Sequence, residues 1–206
     1  SAASDVYKRQ LLPLFKYFIG VVIILFIHCL VTYQGILVLF GKYNPIKFFK
    51  SFAPTMMVGF STASSSACLP SSLKSMQETF GVSKAISSFT IPLGNTINMD
   101  GTAVMQGVAT IFIAQIYGID LTMGNYITII LTATLASIGT AGVPGVGVIM
   151  LGMVLVQIGL PLEGIGLVMG IDRFVDMFRT MINITGDAVC TLVIAKTEGE
   201  QLKEAI

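Results

Sequence analysis

Charge is scarce in this chain. Asp, Glu, Lys and Arg make up 11% of its 206 residues, against 54% hydrophobic residues, where a soluble domain carries about a quarter charged residues. That deficit excludes a soluble domain, and a mean hydropathy of +0.84 points to an integral membrane protein. Basic runs are missing too. A net charge of +1 argues against nucleic acid as a partner, and no Lys/Arg cluster marks an anionic-lipid patch. Cysteine is rare, and the odd set Cys29, Cys68 and Cys190 has no metal-ligand spacing and lies in apolar sequence, which argues against a disulfide framework. Cys29 and Cys190 read as small core residues. The single histidine, His28, lies in an apolar run and reads as a packed helix residue rather than a ligand or proton relay.

The chain also lacks an initiator Met, and its first residues show no basic segment followed by an apolar core and a small-residue cleavage site, so they do not read as a signal peptide. Residues 5–10, DVYKRQ, match the in-frame translation of a transposase sequencing adapter. The expectation is therefore that residues 1–10 are an assembly scar, with the natural chain cut upstream of Leu11. Residues 11–198 then form one domain, and residues 199–206 a polar tail.

Residues 15–40 are an apolar run longer than the roughly 20 residues needed to span hydrocarbon. GKYNP breaks it, and IKFFKSFAPTMMVGF follows as a second, partly amphipathic helix. Next comes a small, polar, uncharged patch, STASSSACLPSS, whose Ser64, Ser65 and Ser66 are too clustered to serve as a helix cap alone. A helix with Lys74 and Glu78 and a GVSKA turn lead into an apolar stretch, residues 86–119, interrupted by GNTINMDGT. A charge at Asp100 among asparagines should not face lipid, and unwound backbone at membrane depth is tolerated only inside protein or along a cavity.

The apolar runs 125–136 and 148–160 are each short for a span, and the sequence between them, SIGTAGVPGVG, is rich in Gly. That is the pattern of two half-helices meeting at a tip, a re-entrant hairpin. The serine patch has the same plan. A hairpin followed by a broken helix is thus echoed by a hairpin followed by a charged helix, and such paired interrupted segments point to a transporter binding site. Loop Lys and Arg are too sparse to set an orientation.

The charged helix is residues 170–187, GIDRFVDMFRTMINITGD, which holds three aspartates and two arginines between apolar flanks. Asp172, Asp176, Arg179, Asn183 and Asp187 step by four, three, four and four and fall in a stripe about 80° wide. Intramembrane charges cost about 2.5–3.5 kcal/mol each on insertion scales and so face an interior or a wet cavity. A purely structural ion-pair ladder would be a poor source of stability, and it would leave the polar tips and the NMDG break without a purpose.

A guanidinium grips a carboxylate bidentately and a neighbouring carboxylate grips an ammonium. Half-helix N-termini suit a second carboxylate. Together these describe an acidic amino acid. The oxygens of Asp100, Asp187, Asn98 and Asn183, with unwound carbonyls, are hard ligands suited to alkali cations. Cations would then order the pocket that the anionic solute occupies. No nucleophile–base pair is present, so an enzyme is not expected, and no organic cofactor is implied.

SSS followed by LP, then NMDGT, ASIGTAGVPGVG and DMFRTMINITGD, occur in the order seen in the dicarboxylate/amino acid:cation symporters, the glutamate transporter family. Four motifs in series across residues 11–198 make the resemblance specific. It implies an all-α integral membrane fold in the cell (inner or cytoplasmic) membrane: the C-terminal transport domain of an elevator carrier, with two re-entrant helical hairpins and a broken transmembrane helix. The scaffold half that would form a homotrimer lies outside this chain. It also implies a solute site. Arg179 would hold the side-chain carboxylate with Thr102 nearby, and Asp176 the amino group. Ser65, Ser66, Thr180, Asn183 and the backbone at Val143 and Gly147 would meet the rest. Co-transported sodium ions would sit at three places: Asp187 and Asn183 with carbonyls of Gly94 and Asn98; carbonyls at Thr96 and along Ser137 to Thr140; and Asp100 and Asn98 with partners from a helix outside this chain.

Within the resemblance, neutral amino acid carriers lack the arginine and dicarboxylate carriers lack the aspartate. Arg179 and Asp176 together therefore imply sodium-coupled symport of aspartate or glutamate. Acidic amino acid members usually carry a further arginine where this chain has Ala63 or Met177. Arg173 lies about 100° off the stripe from Asp172, and Cys68 reads as a packing residue beside the inner tip. The alternatives are a proton-coupled, dicarboxylate or cystine carrier, or a solute-gated anion channel or receptor on the same scaffold.

Overall fold

The computed structural model describes residues 2–203, with side chains from residue 11 onward. Residues 1 and 204–206, and the side chains of the expected scar, lie outside the described residues. Every regular element described is helical. The order is α1 (Ala2–Ile27), a π-helical stretch (His28–Tyr33), α2 (Gln34–Ile36), a second π stretch (Leu37–Gly41), α3 (Pro45–Thr62), α4 (Ser65–Lys74) with a π-helical end (Ser75–Thr79), α5 (Lys84–Ile97), α6 (Asp100–Ile116), α7 (Met123–Ile138), α8 (Val146–Ile158), a 3₁₀ turn (Leu162–Gly164) and α9 (Ile165–Thr197).

Local chemistry explains the boundaries. Asn44 accepts from the Ile46 and Lys47 amides while Pro45 opens α3, a cap and a proline that need no amide. Ser83 caps α5, and Thr122 with Asn125 forms a capping box on α7. Glycines with positive φ, Gly145 (81°) and Gly159 (77°), bracket α8. Left-handed Ala63 (φ 49°) ends α3, and Ser64 then caps α4.

Among the described residues two helical rods are long and apolar enough to cross a membrane, Leu11–Gly41 and Leu162–Thr197. The second includes α9, whose buried face carries the polar stripe and which packs against α1, α3, α4, α5, α6 and α8. The first rod runs beside α9. Pro13 and Leu14 lie near Gly166 and Gly170 at one end, Tyr33 meets Gly186, and Gly41 faces Val193 at the other. Apolar side chains on α7 and α8, among them Ile130, Leu135, Ile149 and Val156, point outward, as suits a surface that meets lipid or further protein rather than water.

The helices α3 and α4 pack as one pair and α7 and α8 as another, and their tips touch. The Gly142 carbonyl accepts from Ser64 Oγ (2.9 Å) and from the Ser66 amide (3.0 Å). The break expected at NMDG is present, with Asn98 and Met99 between α5 and α6. The polar tail is a strap as far as Lys203. Its amide donates to the Phe80 carbonyl (2.9 Å), the Ser83 amide donates to Glu200 Oε2 (3.0 Å), and Tyr43 Oη donates to the Lys203 carbonyl (3.0 Å). One expectation fails: Cys190 is exposed, whereas Cys29 and Cys68 are buried. Helical spacing puts Cys190 in line with Asp172 and Asn183 on the stripe's own face, three residues beyond Asp187, and its side chain is left exposed there.

Candidate functional site

The stripe on α9 is buried along its length, and its hydrogen-bond partners from other elements come from the α7–α8 tip and the break. Arg179 is 3% exposed. Its Nη2 pairs with Asp176 Oδ1 at 2.6 Å, while its Nη1 is buried without a hydrogen-bond partner. Thr180 Oγ1 donates to the same Asp176 oxygen (3.2 Å), and the Gly145 amide donates to the other (3.0 Å). Gly147 lies directly against the guanidinium, where a Cβ would collide with Nη1. Gln106 Nε2 donates to the Gly147 carbonyl (3.1 Å) from the other side.

Asn183, one turn further along, ties the stripe to the helix break. Its Oδ1 accepts from the Gly101 amide (2.8 Å), and its Nδ2 donates to Thr102 Oγ1 (3.3 Å) and Met99 Sδ (3.2 Å). Ser65, Thr102, Val143, Asp176, Arg179, Thr180 and Asn183 line one pocket, with Ala63, Met99, Thr140, Ala141 and Gly142. Seven of the nine residues expected around a solute thus converge. Ser66 borders the pocket through its bond to Gly142, and Gly147 through its contact with Arg179. With the two tips touching, the free space between these residues holds about one water.

The residues expected to hold cations form two further groups. Asn98 Nδ2 donates to Asp187 Oδ1 (3.1 Å), and Gly94 approaches that carboxylate so closely that a Cβ would lie 2.6 Å from Oδ1. Asp100, at the start of α6, is held instead by α1's extension: His28 Nε2 and Tyr33 Oη each donate to Oδ2 at 3.2 Å. His28 is therefore no mere packing residue, as its apolar surroundings suggested. The π-helical stretch that starts at it brings Tyr33 round to the same side. Ser137 and Thr140 are buried at the end of α7, whereas the Thr96 side chain is exposed on α5 and bonds its own helix at Pro92.

The sequence reading missed Tyr33, Asn95 and Gln106. Asn95 Nδ2 bonds Ser66 Oγ (3.4 Å), which joins α5 to the start of α4. Each is an uncharged polar residue in an apolar helix, a signal that was present but shared by many others. Arg173, off the stripe, reaches the Thr62 carbonyl (3.4 Å) at the end of α3. Asp172 stays on the stripe, buried, with Oδ1 unpartnered.

A buried arginine–aspartate pair thus lies under two touching helical tips, with carboxylates at a broken helix nearby. The model of the sodium:dicarboxylate symporter family matches residues 1–197, and the chain belongs to that family. It is 42% identical over 196 residues to a Caenorhabditis elegans protein named as a sodium-dependent excitatory amino acid transporter, covering 95% of this chain and 39% of that one. It is 40% identical to excitatory amino acid transporter 3 of Mus musculus, over 86% of this chain and 34% of the relative. Excitatory amino acid transporter 1 of Rattus norvegicus is 39% identical over 91% of this chain and 34% of its own length. The chain thus spans between a third and two-fifths of the length of these relatives.

Proposed function

We propose that this chain is the C-terminal transport half of a sodium-coupled symporter for acidic amino acids, aspartate or glutamate. The observation that carries the proposal is the Arg179 guanidinium: buried, paired with Asp176 through one nitrogen and left with the other unpartnered. A buried donor without a partner costs about 1–3 kcal/mol, and such exceptions call for an explanation beyond packing. A solute carboxylate meeting Nη1, with its ammonium on Asp176, accounts for both groups. The names of the relatives favour the same solute class.

In this reading the α3–α4 and α7–α8 pairs are re-entrant hairpins, and the α7–α8 tip lifts to admit solute. Sodium binds at Asp187 with Asn98, Asn183 and the Gly94 carbonyl, at Asp100, and between Thr96 and residues 137–140. The ions at Asp187 and Asp100 neutralise carboxylate charge close to the solute. The domain then moves as a body against a trimeric scaffold supplied by the rest of the longer protein. The test is uptake of labelled L-aspartate by proteoliposomes containing the full-length protein, with and without an inward sodium gradient. Accumulation that needs sodium supports the reading. Uptake of succinate or cystine in place of aspartate, or coupling to protons, would replace it with another carrier of the family. Solute-evoked current without accumulation would replace it with a channel.

A further inference from the structure

We propose that Tyr33 and His28 are positioning residues for the Asp100 carboxylate, so that the support for this cation ligand comes from α1's own extension. The inference rests on the reading of Asp100 as a sodium ligand. Tyr33 and His28 are five residues apart, and on an α-helix they would point about 140° away from each other. The stretch between them is π-helical, and its i→i+5 bonding brings residues five apart onto one side. That is why both rings reach the same oxygen, Asp100 Oδ2, at 3.2 Å. The rings also meet edge to face, with centroids 4.6 Å apart, so each limits the other's rotation.

Tyr33 is the more firmly placed of the two. It is 2% exposed, and the end of its ring lies over Gly186. A Cβ at 186 would collide with the phenol and would lie 2.6 Å from Asn98 Nδ2, the amide that holds Asp187. The phenol therefore sits between the two carboxylates assigned to cations. The Asp100 side chain is by contrast 42% exposed. A fixed buried donor thus holds one oxygen of a carboxylate that is otherwise accessible. Outer partners of this kind fix ligand orientation, and removing them costs about 10–100-fold in metal affinity.

The test uses Tyr33→Phe and His28→Gln in the full-length protein, with two readouts. The first is the sodium concentration for half-maximal aspartate uptake, set beside the aspartate KM at saturating sodium. The second is the rise in melting temperature of the purified protein with sodium, which reads cation binding without transport. The expected result is a half-maximal sodium concentration raised about tenfold or more in Tyr33→Phe, with the aspartate KM within about twofold of wild type. His28→Gln, which keeps an N–H donor, should show a smaller shift in the same direction. Wild-type sodium curves in both variants would overturn the inference. So would a loss of melting temperature and uptake with sodium half-saturation unchanged, or a wild-type protein that sodium does not stabilise. Sodium stabilisation that Tyr33→Phe weakens, in a protein that takes up no aspartate, would overturn the proposed substrate and leave this inference standing.

Discussion

Gly147→Ala adds one methyl group and should disable the solute site selectively. The new Cβ would collide with Arg179 Nη1 and lie 2.7 Å from Cζ and 2.9 Å from Nη2. Carbon and nitrogen at rest stand about 3.5–4.0 Å apart, so the guanidinium must retreat by about 1 Å. It has little freedom to do so, because Nη2 is pinned to Asp176 at 2.6 Å and the side chain is buried. Nor can the backbone at 147 withdraw without losing its bond from Gln106. Overpacking of this kind costs about 1–3 kcal/mol. A misplaced guanidinium forfeits a charged hydrogen bond to the solute carboxylate, about 1.5–3 kcal/mol, which is roughly a tenfold to hundredfold rise in KM. The assay is sodium-driven uptake of labelled aspartate by the full-length protein over a range of aspartate concentrations. Gly166→Ala and Gly170→Ala serve as controls, since a Cβ at either meets nothing within 4 Å. If Gly147→Ala kept the aspartate KM of those controls, the guanidinium would not be the group that reads the solute.

Gly94→Ala should act on sodium rather than on solute choice, because its Cβ would lie 2.6 Å from Asp187 Oδ1. The half-maximal sodium concentration for uptake should rise about tenfold with the preference for aspartate over succinate retained, and an unchanged sodium titration would remove Asp187 from the cation sites. Ala63→Gly relieves a left-handed alanine (φ 49°); after the glycine's extra unfolded-state entropy the net gain is about 0.5–1 kcal/mol. Thermal melting should show a midpoint about 1–4 °C higher, and a lower midpoint would mean that the alanine side chain packs better than its backbone conformation costs.

The stripe on α9 was legible in the sequence because a helix of regular pitch carries spacing directly into position: residues at steps of three and four fall on one face. Ser65, Thr102, Val143, Asp176, Arg179, Thr180 and Asn183 then meet in one pocket, since each belongs to a tip, a break or that face. The break at Asn98 and Met99 and the two tips were legible because polar or glycine-rich residues interrupt apolar runs there. What was not legible depends on irregular pitch or on contacts between distant elements. Spacing by five at His28 and Tyr33 signals nothing until the helix between them is known to be π-helical. Gln106 and Asn95 gain their meaning only from Gly147 and Ser66 across the fold. Likewise, the strap of Glu200 and Lys203 follows from where α9 ends beside the turn before α5.

The pairing of Arg179 with a solute carboxylate is the centre of the account, and labelled L-aspartate uptake by the full-length protein, wild type beside Arg179→Ala, tests it most directly. The account predicts accumulation that requires an inward sodium gradient in the wild type and is lost in the variant. Sodium-driven aspartate accumulation that persists in Arg179→Ala would contradict it.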